Sequence, residues 1–273
     1  TDTATATGTN GGSGGTGSVP SGDPDPSPGC GMADPTDCLP CMTSGRPYYV
    51  DMPNNYDPNK PYPVIFRYHP LGGSAEGARN MYLGPNDFEA IYVSPEGSNN
   101  GFPNQNGVDE QMTREIMTDI EARLCVDRAR YYATGFSYGG SMSYTAACNM
   151  SDKFRAIAAM AGATVSGANC TREAPERPVA ILGIHGEKDT VLPITMAEPY
   201  IESFLEKNGC TGDAPQPSDI LDSECVKVES ALEAGAYQGC MEGYPVIWCP
   251  IPDYPHNIPT WSRGAIAKFF ALF

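Results

Sequence analysis

The chain has 273 residues, with 17 Lys and Arg against 33 Asp and Glu, and a formal net charge of −16. A surface that acidic repels phosphate, so nucleic acid and anionic membrane are excluded as expected partners. No apolar run reaches the roughly 18–20 residues of a membrane helix, and no basic stretch followed by an apolar one opens the chain, so the sequence reads as a mature form.

In residues 1–29, Thr, Ser, Gly and Pro supply 22 of the 29 positions and Val19 is the only bulky aliphatic side chain. Such a segment cannot bury a core, so it reads as a disordered tether whose hydroxyls suit O-linked sugars. Residues 30–273 are expected to form one domain. Ten cysteines without paired zinc-ligand spacing point to an oxidising compartment, hence to secretion. Cys38-Leu39-Pro40-Cys41 has no second C-x-x-C to complete a zinc site and is read as part of a disulfide framework. Cys210 and Cys240 bracket a Pro- and acid-rich excursion and are expected to pair. Two sequons, Asn149-Met150-Ser151 and Asn169-Cys170-Thr171, mark Asn149 and Asn169 as candidate glycan acceptors.

Short apolar, β-branched runs predict strands over residues 62–68 and 90–93. From Val108 to Cys125, Met112, Ile116, Met117, Ile120 and Leu124 recur at helical spacing opposite a row of acids, which predicts a helix. A strand near residues 130–134, a helix over 138–149, a strand near 157–161 and an unbroken apolar strand over 179–184 follow. A helix over 195–208, a strand over 244–248 and a closing helix over 262–272 complete the chain. Near-continuous apolar strands separated by helices predict an α/β fold with a mainly parallel central sheet covered by helices on both faces.

Gly135-Phe136-Ser137-Tyr138-Gly139 fits G-x-S-x-G between a predicted strand and a predicted helix. That context suits a sharp elbow presenting the Ser137 hydroxyl at the carboxyl edge of the sheet. Gly11-Gly12-Ser13-Gly14-Gly15 fits the same pattern but lies in a tether that cannot hold a strained turn. A serine needs an imidazole to take its proton and a carboxylate to orient that imidazole. With the order Ser, acid, His that parallel-sheet hydrolases use, Asp189 just past the strand of residues 179–184 is the acid, and Glu187 is the alternative. His256 is the only histidine downstream of it. The loop His69-Pro70-Leu71-Gly72-Gly73 follows a strand, so the backbone amides of Leu71 and Tyr138 are the candidate oxyanion donors. The alternative is a plain glycine turn with His69 as a satisfied core side chain.

Gly29-Cys30-Gly31, Asn55-Tyr56-Asp57-Pro58-Asn59-Lys60-Pro61-Tyr62, Tyr68-His69-Pro70-Leu71-Gly72-Gly73-Ser74, Leu124-Cys125-Val126-Asp127, Gly135-Phe136-Ser137-Tyr138-Gly139-Gly140 and Gly183-Ile184-His185-Gly186 together resemble the secreted fungal feruloyl esterases of carbohydrate esterase family 1. The resemblance runs through nearly all of residues 29–273. It implies an α/β-hydrolase fold and a serine esterase using Ser137, Asp189 and His256, with no metal or organic cofactor. The implied substrate is a feruloyl ester on plant cell-wall arabinoxylan, and the implied neighbour is a carbohydrate-binding module joined through the N-terminal tether. Acetylxylan esterases and polyhydroxyalkanoate depolymerases share the wider family. A catalytically silent hydrolase-fold protein that binds wall carbohydrate is the alternative of a different class. Phe102 replaces the family's Trp after Gly101, Asp109-Glu110-Gln111-Met112-Thr113 replaces an apolar segment, and Pro255 precedes His256 in place of Gly or Asp. The changes at Phe102 and Pro255 are expected to reshape the acyl pocket.

Overall fold

A computed structural model describes residues 22–32, 39–168, 170, 175–211 and 239–273. Its strands form one eight-stranded sheet. They are β1 (Cys41–Thr43), β2 (Arg46–Asp51), β3 (Tyr62–Tyr68), β4 (Ile91–Pro95), β5 (Val126–Phe136), β6 (Phe154–Met160), β7 (Ala180–Gly186) and β8 (Val246–Ile251). The spatial order is β1-β2-β4-β3-β5-β6-β7-β8, antiparallel at β1–β2 and β2–β4 and parallel from β4 to β8. The helices are α1 (Ala75–Met81), α2 (Val108–Arg123), α3 (Tyr138–Asn149), α4 (Glu198–Lys207) and α5 (Ser262–Phe270).

The central strands are apolar on both sides because both sides are covered. Val64, Phe66 and Tyr68 of β3, Tyr131 and Ala133 of β5, Ile181 of β7 and Trp248 of β8 pack with α2, α3 and α4. The alternate residues, Ile65, Tyr132, Leu182 and Ile247, pack with Ala78 of α1 and with Ile266, Phe269 and Phe270 of α5. This is the expected sheet with helices on both faces. The helix at residues 138–149 starts and stops where the sequence puts it, while β5 begins earlier, at Val126, and β8 runs on to Ile251. Three elements escape the sequence reading: β1, β2 and α1.

The tether expected over residues 1–29 ends sooner than its composition suggests. Asp25 donates its amide to Asp127 Oδ1 at 3.0 Å, Ser27 Oγ donates to the Leu124 carbonyl at 2.6 Å, and the Gly29 amide donates to Glu121 O at 2.9 Å. A Cβ on Gly29 would lie 2.5 Å from Leu124 N, so only glycine lets the chain run this close to the α2–β5 turn. Cys30 then bonds covalently to Cys125. Cys148 pairs with Cys170, and Cys210 pairs with Cys240 as their bracketing of the excursion suggests. Cys41 and Cys249 are also disulfide-bonded, and Cys38 lies outside the described residues.

Candidate active site

The parallel strands all deliver their C-terminal ends to one edge of the sheet, and the candidate groups hang from the loops that leave it. β5 ends at Phe136, and Ser137 turns the chain into α3 with φ 58° and ψ −120°. That left-handed backbone is strained for a residue with a Cβ and is held from several sides. The Ser137 amide donates to Met160 O at 3.0 Å, while its carbonyl accepts from the Ser141 amide at 2.9 Å and from Ser141 Oγ at 3.1 Å. The motif's glycines are required by closeness: a Cβ on Gly139 would stand 1.9 Å from the Tyr68 carbonyl oxygen, and one on Gly135 would stand 2.4 Å from the Gly139 carbonyl carbon. The elbow therefore rides directly on the end of β3.

Asp189 lies in the turn after β7, and His256 lies in the loop after β8. Glu187 N donates to Ile251 O at 3.0 Å and Lys188 N to Tyr254 O at 3.0 Å, which sews the two loops together. A Cβ on Gly186 would stand 2.2 Å from the Tyr254 carbonyl oxygen, so this seam also depends on a glycine. Asp189 is buried; its Oδ1 accepts the amides of Val191 at 2.9 Å and Leu192 at 2.8 Å. Its Oδ2 lies 2.5 Å from His256 Nδ1, and His256 Nε2 lies 2.9 Å from Ser137 Oγ. A carboxylate can only accept, so Nδ1 carries the proton and the Nε2 lone pair faces the serine hydroxyl. The Phe136 ring packs 4.7 Å from the imidazole and limits its rotation. Glu187, the alternative acid, is exposed, and it is Asp189 that touches His256.

The loop after β3 lies beside the elbow. Leu71 is 58% exposed, and a Cβ on Gly101 would meet Leu71 Cδ1 at 3.2 Å and Tyr138 Cδ1 at 3.3 Å, so Leu71 and Tyr138 flank the same glycine. The Pro70 carbonyl accepts from His69 Nδ1 at 2.8 Å and from the Gly73 amide at 2.9 Å. That carbonyl belongs to the same planar peptide as the Leu71 N–H, so fixing one aims the other. His69 Nε2 accepts the Gly97 amide at 3.0 Å, and burial holds its pKa below the ordinary histidine value against the opposing pull of the Pro70 carbonyl. His69 is thus a satisfied, neutral core side chain that braces the loop. Phe102 is buried, its ring 5.1 Å from that of Tyr68 and 4.7 Å from that of His69, so it packs against the residues that lead into the loop.

His185, which the motifs contain without giving it a role, also reaches the acid. Its Nε2 donates to Leu192 O at 2.8 Å and stands 3.3 Å from Asp189 Oδ2, while burial lowers its pKa and keeps it neutral. A histidine closing a buried strand four residues before the acid is the one signal that could have found it. Of the two sequons, Asn149 ends α3 with its side-chain amide 2.7 Å from Glu110 Oε1, beside a hollow of about 780 Å³. Asn169 lies outside the described residues.

A family model described as phospholipase/carboxylesterase matches residues 80–216. Feruloyl esterase D of Neurospora crassa is 36% identical over 217 residues, which is 74% of this chain and 71% of that protein. Feruloyl esterase C of Emericella nidulans is 38% identical over 206 residues, 70% of this chain and 71% of that one. Among solved structures, an acetyl xylan esterase from Aspergillus awamori superposes with a TM-score of 0.59 at 14% identity, covering 84% of this chain and 95% of that one. A ferulic acid esterase of carbohydrate esterase family 1 from Anaeromyces mucronatus, solved with ferulic acid, gives a TM-score of 0.55 at 18% identity, covering 82% and 84%. At such identities the structures share the fold, which is that of the α/β-hydrolases.

Proposed function

The chain belongs to the feruloyl esterases of carbohydrate esterase family 1, carboxylic ester hydrolases with the α/β-hydrolase fold, and from that premise we propose that it hydrolyses feruloyl esters through an acyl-enzyme on Ser137. The observation that carries this reading is the single imidazole held 2.9 Å from Ser137 Oγ on one side and 2.5 Å from Asp189 Oδ2 on the other. In the first step Ser137 Oγ attacks the ester carbonyl as its proton passes to His256 Nε2, and Asp189 stabilises the imidazolium that forms. The backbone amides of Leu71 and Tyr138 stabilise the tetrahedral oxyanion, and Tyr138, as the first residue of α3, adds the positive end of the helix dipole. Collapse expels the sugar alcohol, which takes the proton back from Nε2. Water, deprotonated by the same nitrogen, then attacks the acyl-enzyme, releases ferulate and restores the serine hydroxyl.

The natural substrate in this reading is feruloylated arabinoxylan of the plant cell wall. The enzyme acts outside the cell, where its disulfides persist, with Asn149 and Asn169 as glycan acceptors and the N-terminal tether leading to a carbohydrate-binding module. The test compares parent and Ser137→Ala on a chromogenic acetate ester, on feruloylated and acetylated arabinoxylan, and in labelling by a serine-directed phosphonate. Ferulate release in excess of acetate release, with both turnover and labelling lost in the variant, is the expected result. Equal turnover by parent and variant refutes the role of Ser137. Acetate released in preference to ferulate refutes the feruloyl assignment.

A further inference from the structure

The nucleophile and the oxyanion loop leave adjacent strands, so their spacing is set where β5 and β3 end. The pairing of those strands opens at Tyr62 with Val126 and, past a register shift, runs from Val64 with Tyr131 to Tyr68 with Gly135. Phe136 is the last residue of β5 and precedes Ser137; Tyr68 is the last residue of β3 and precedes the loop that carries Leu71. At this junction a side chain from outside both strands intervenes. Tyr82, which caps the C-terminal end of α1, is buried, donates its hydroxyl to Tyr68 O at 3.0 Å and accepts the Phe136 amide at 3.0 Å.

We propose that Tyr82 is a positioning residue for the hydrolysis: its hydroxyl clamps the end of the nucleophile strand to the end of the oxyanion-loop strand and fixes the distance between Ser137 Oγ and the Leu71 amide. The inference rests on the roles of Ser137 and Leu71 given under Proposed function. A hydroxyl has one proton to give and lone pairs to receive, and Tyr82 gives to one strand and receives from the other. The Tyr68 carbonyl that it holds is also the group on which the elbow rides, since a Cβ on Gly139 would stand 1.9 Å from it. Loss of the hydroxyl leaves a buried donor and a buried acceptor without their shared partner, and the strand ends relieve this by shifting. A misplacement of about 1 Å between reacting groups costs on the order of 100-fold in rate.

A matched control exists. Tyr132 lies on the same side of the sheet, its ring stacked 4.7 Å from Phe270, and its buried hydroxyl has no hydrogen-bond partner among the described residues. Tyr82→Phe and Tyr132→Phe each remove one buried phenolic oxygen, and only the first removes the clamp. Tyr82→Phe is expected to lower kcat on a soluble feruloyl ester about tenfold or more with KM within about twofold. The rate of phosphonate labelling at Ser137, per site titrated at completion, falls by a similar factor, and Tyr132→Phe behaves as the parent. If Tyr82→Phe keeps kcat within about twofold of the parent, whatever its melting temperature, the proposal is overturned. Where Tyr82→Phe does not accumulate folded, the comparison is made between 4-aminophenylalanine and 4-methylphenylalanine at position 82, which are similar in size. The amino group, which donates and accepts, is expected to restore the rate that the methyl group does not, and equal rates overturn the proposal. A parent that is not labelled at Ser137 overturns the reading beneath it and this inference with it, whereas a labelled parent and an equally fast Tyr82→Phe overturn this inference alone.

Discussion

At the scale of single residues, the three histidines illustrate how one side-chain type divides its work. His69 and His185 are buried and held neutral, each giving one ring proton to a backbone carbonyl. His256 alone stands between a hydroxyl and a carboxylate. The pairing of Ser137, Asp189 and His256 could be read from chain order because a single histidine follows both other groups. Tyr82 could not: it acts through long-range contacts with the ends of β3 and β5 that no local spacing encodes. Asp189→Asn separates charge and orientation from mere space filling. The new side chain can keep its carbonyl on the Val191 and Leu192 amides, but it then turns an N–H toward His256 Nδ1, which favours the tautomer with the proton on the nitrogen that must accept from Ser137. Turnover is expected to fall about 10³- to 10⁴-fold with the fold intact, measured as kcat beside circular dichroism and thermal melting. A loss below about tenfold would mean that Asp189 is not the orienting acid.

At the scale of elements, the strands that could be read are those buried on both faces, because only there is the sequence continuously apolar. β2 (Arg46–Asp51) is half-buried, pairs antiparallel near the sheet edge and contains Pro47, so its pattern is neither alternating nor continuous. In α1 only Ala75 and Ala78 are buried within the helix, too few to trace an amphipathic face. What anchors these two elements is hidden in charge. Arg67, fully buried in β3, donates to Ser94 Oγ at 3.0 Å and to the carbonyls of Arg79 and Leu83 at 3.0 and 3.1 Å, and pairs with Asp51 of β2. Arg79 of α1 donates its Nε to the other oxygen of Asp51 at 3.0 Å. Although burial opposes ionisation, the hydrogen bonds from Arg79 and Arg67 hold the Asp51 carboxyl below the usual carboxylate range. Asp51→Asn leaves the Arg67 charge buried without its counter-ion, and the expected cost is about 3–5 kcal/mol by urea unfolding, the range for breaking a buried pair. A change below about 1 kcal/mol would show that the carbonyls alone satisfy Arg67. Gly139→Ala tests the elbow in the same way: with its Cβ 1.9 Å from the Tyr68 carbonyl oxygen, the variant is expected to lose both phosphonate labelling and stability. An active, stable alanine variant would contradict the packing of α3 on β3.

At the scale of the whole molecule, the net charge of −16 sets an expectation against phosphate-bearing partners without naming one, and the cysteine count points to an oxidising compartment without giving most of the pairing. Stability against acid is a property of the whole chain that follows from the interior. His69 packs against Phe102 and faces Glu96 and Asp109, and His185 faces Asp189, yet burial outweighs these carboxylates and lowers the proton affinity of both, with His256 acting on His185 in the same direction as burial. The unfolded chain binds protons on these residues near the ordinary histidine value of about 6.5, and the folded chain binds them only at lower pH. Between those limits the unfolded state holds more protons, so unfolding free energy rises with pH. The stability contribution is complete above about pH 6.5 and is lost as pH falls toward the folded-state values, at no more than about 1.4 kcal/mol per pH unit for each histidine. The lowered carboxyls of Asp51, Asp87 and Asp119 act with the same sign but only as pH drops through the carboxylate range, so the two windows separate. Urea unfolding at pH 7, 6 and 5 is expected to show a falling midpoint in the parent and a flatter profile in His69→Gln with His185→Gln, whatever the absolute stability of the double variant. A parent whose midpoint holds constant from pH 7 to 5 would mean that these two rings take up protons in the folded state as readily as in water, against the desolvation that their burial imposes.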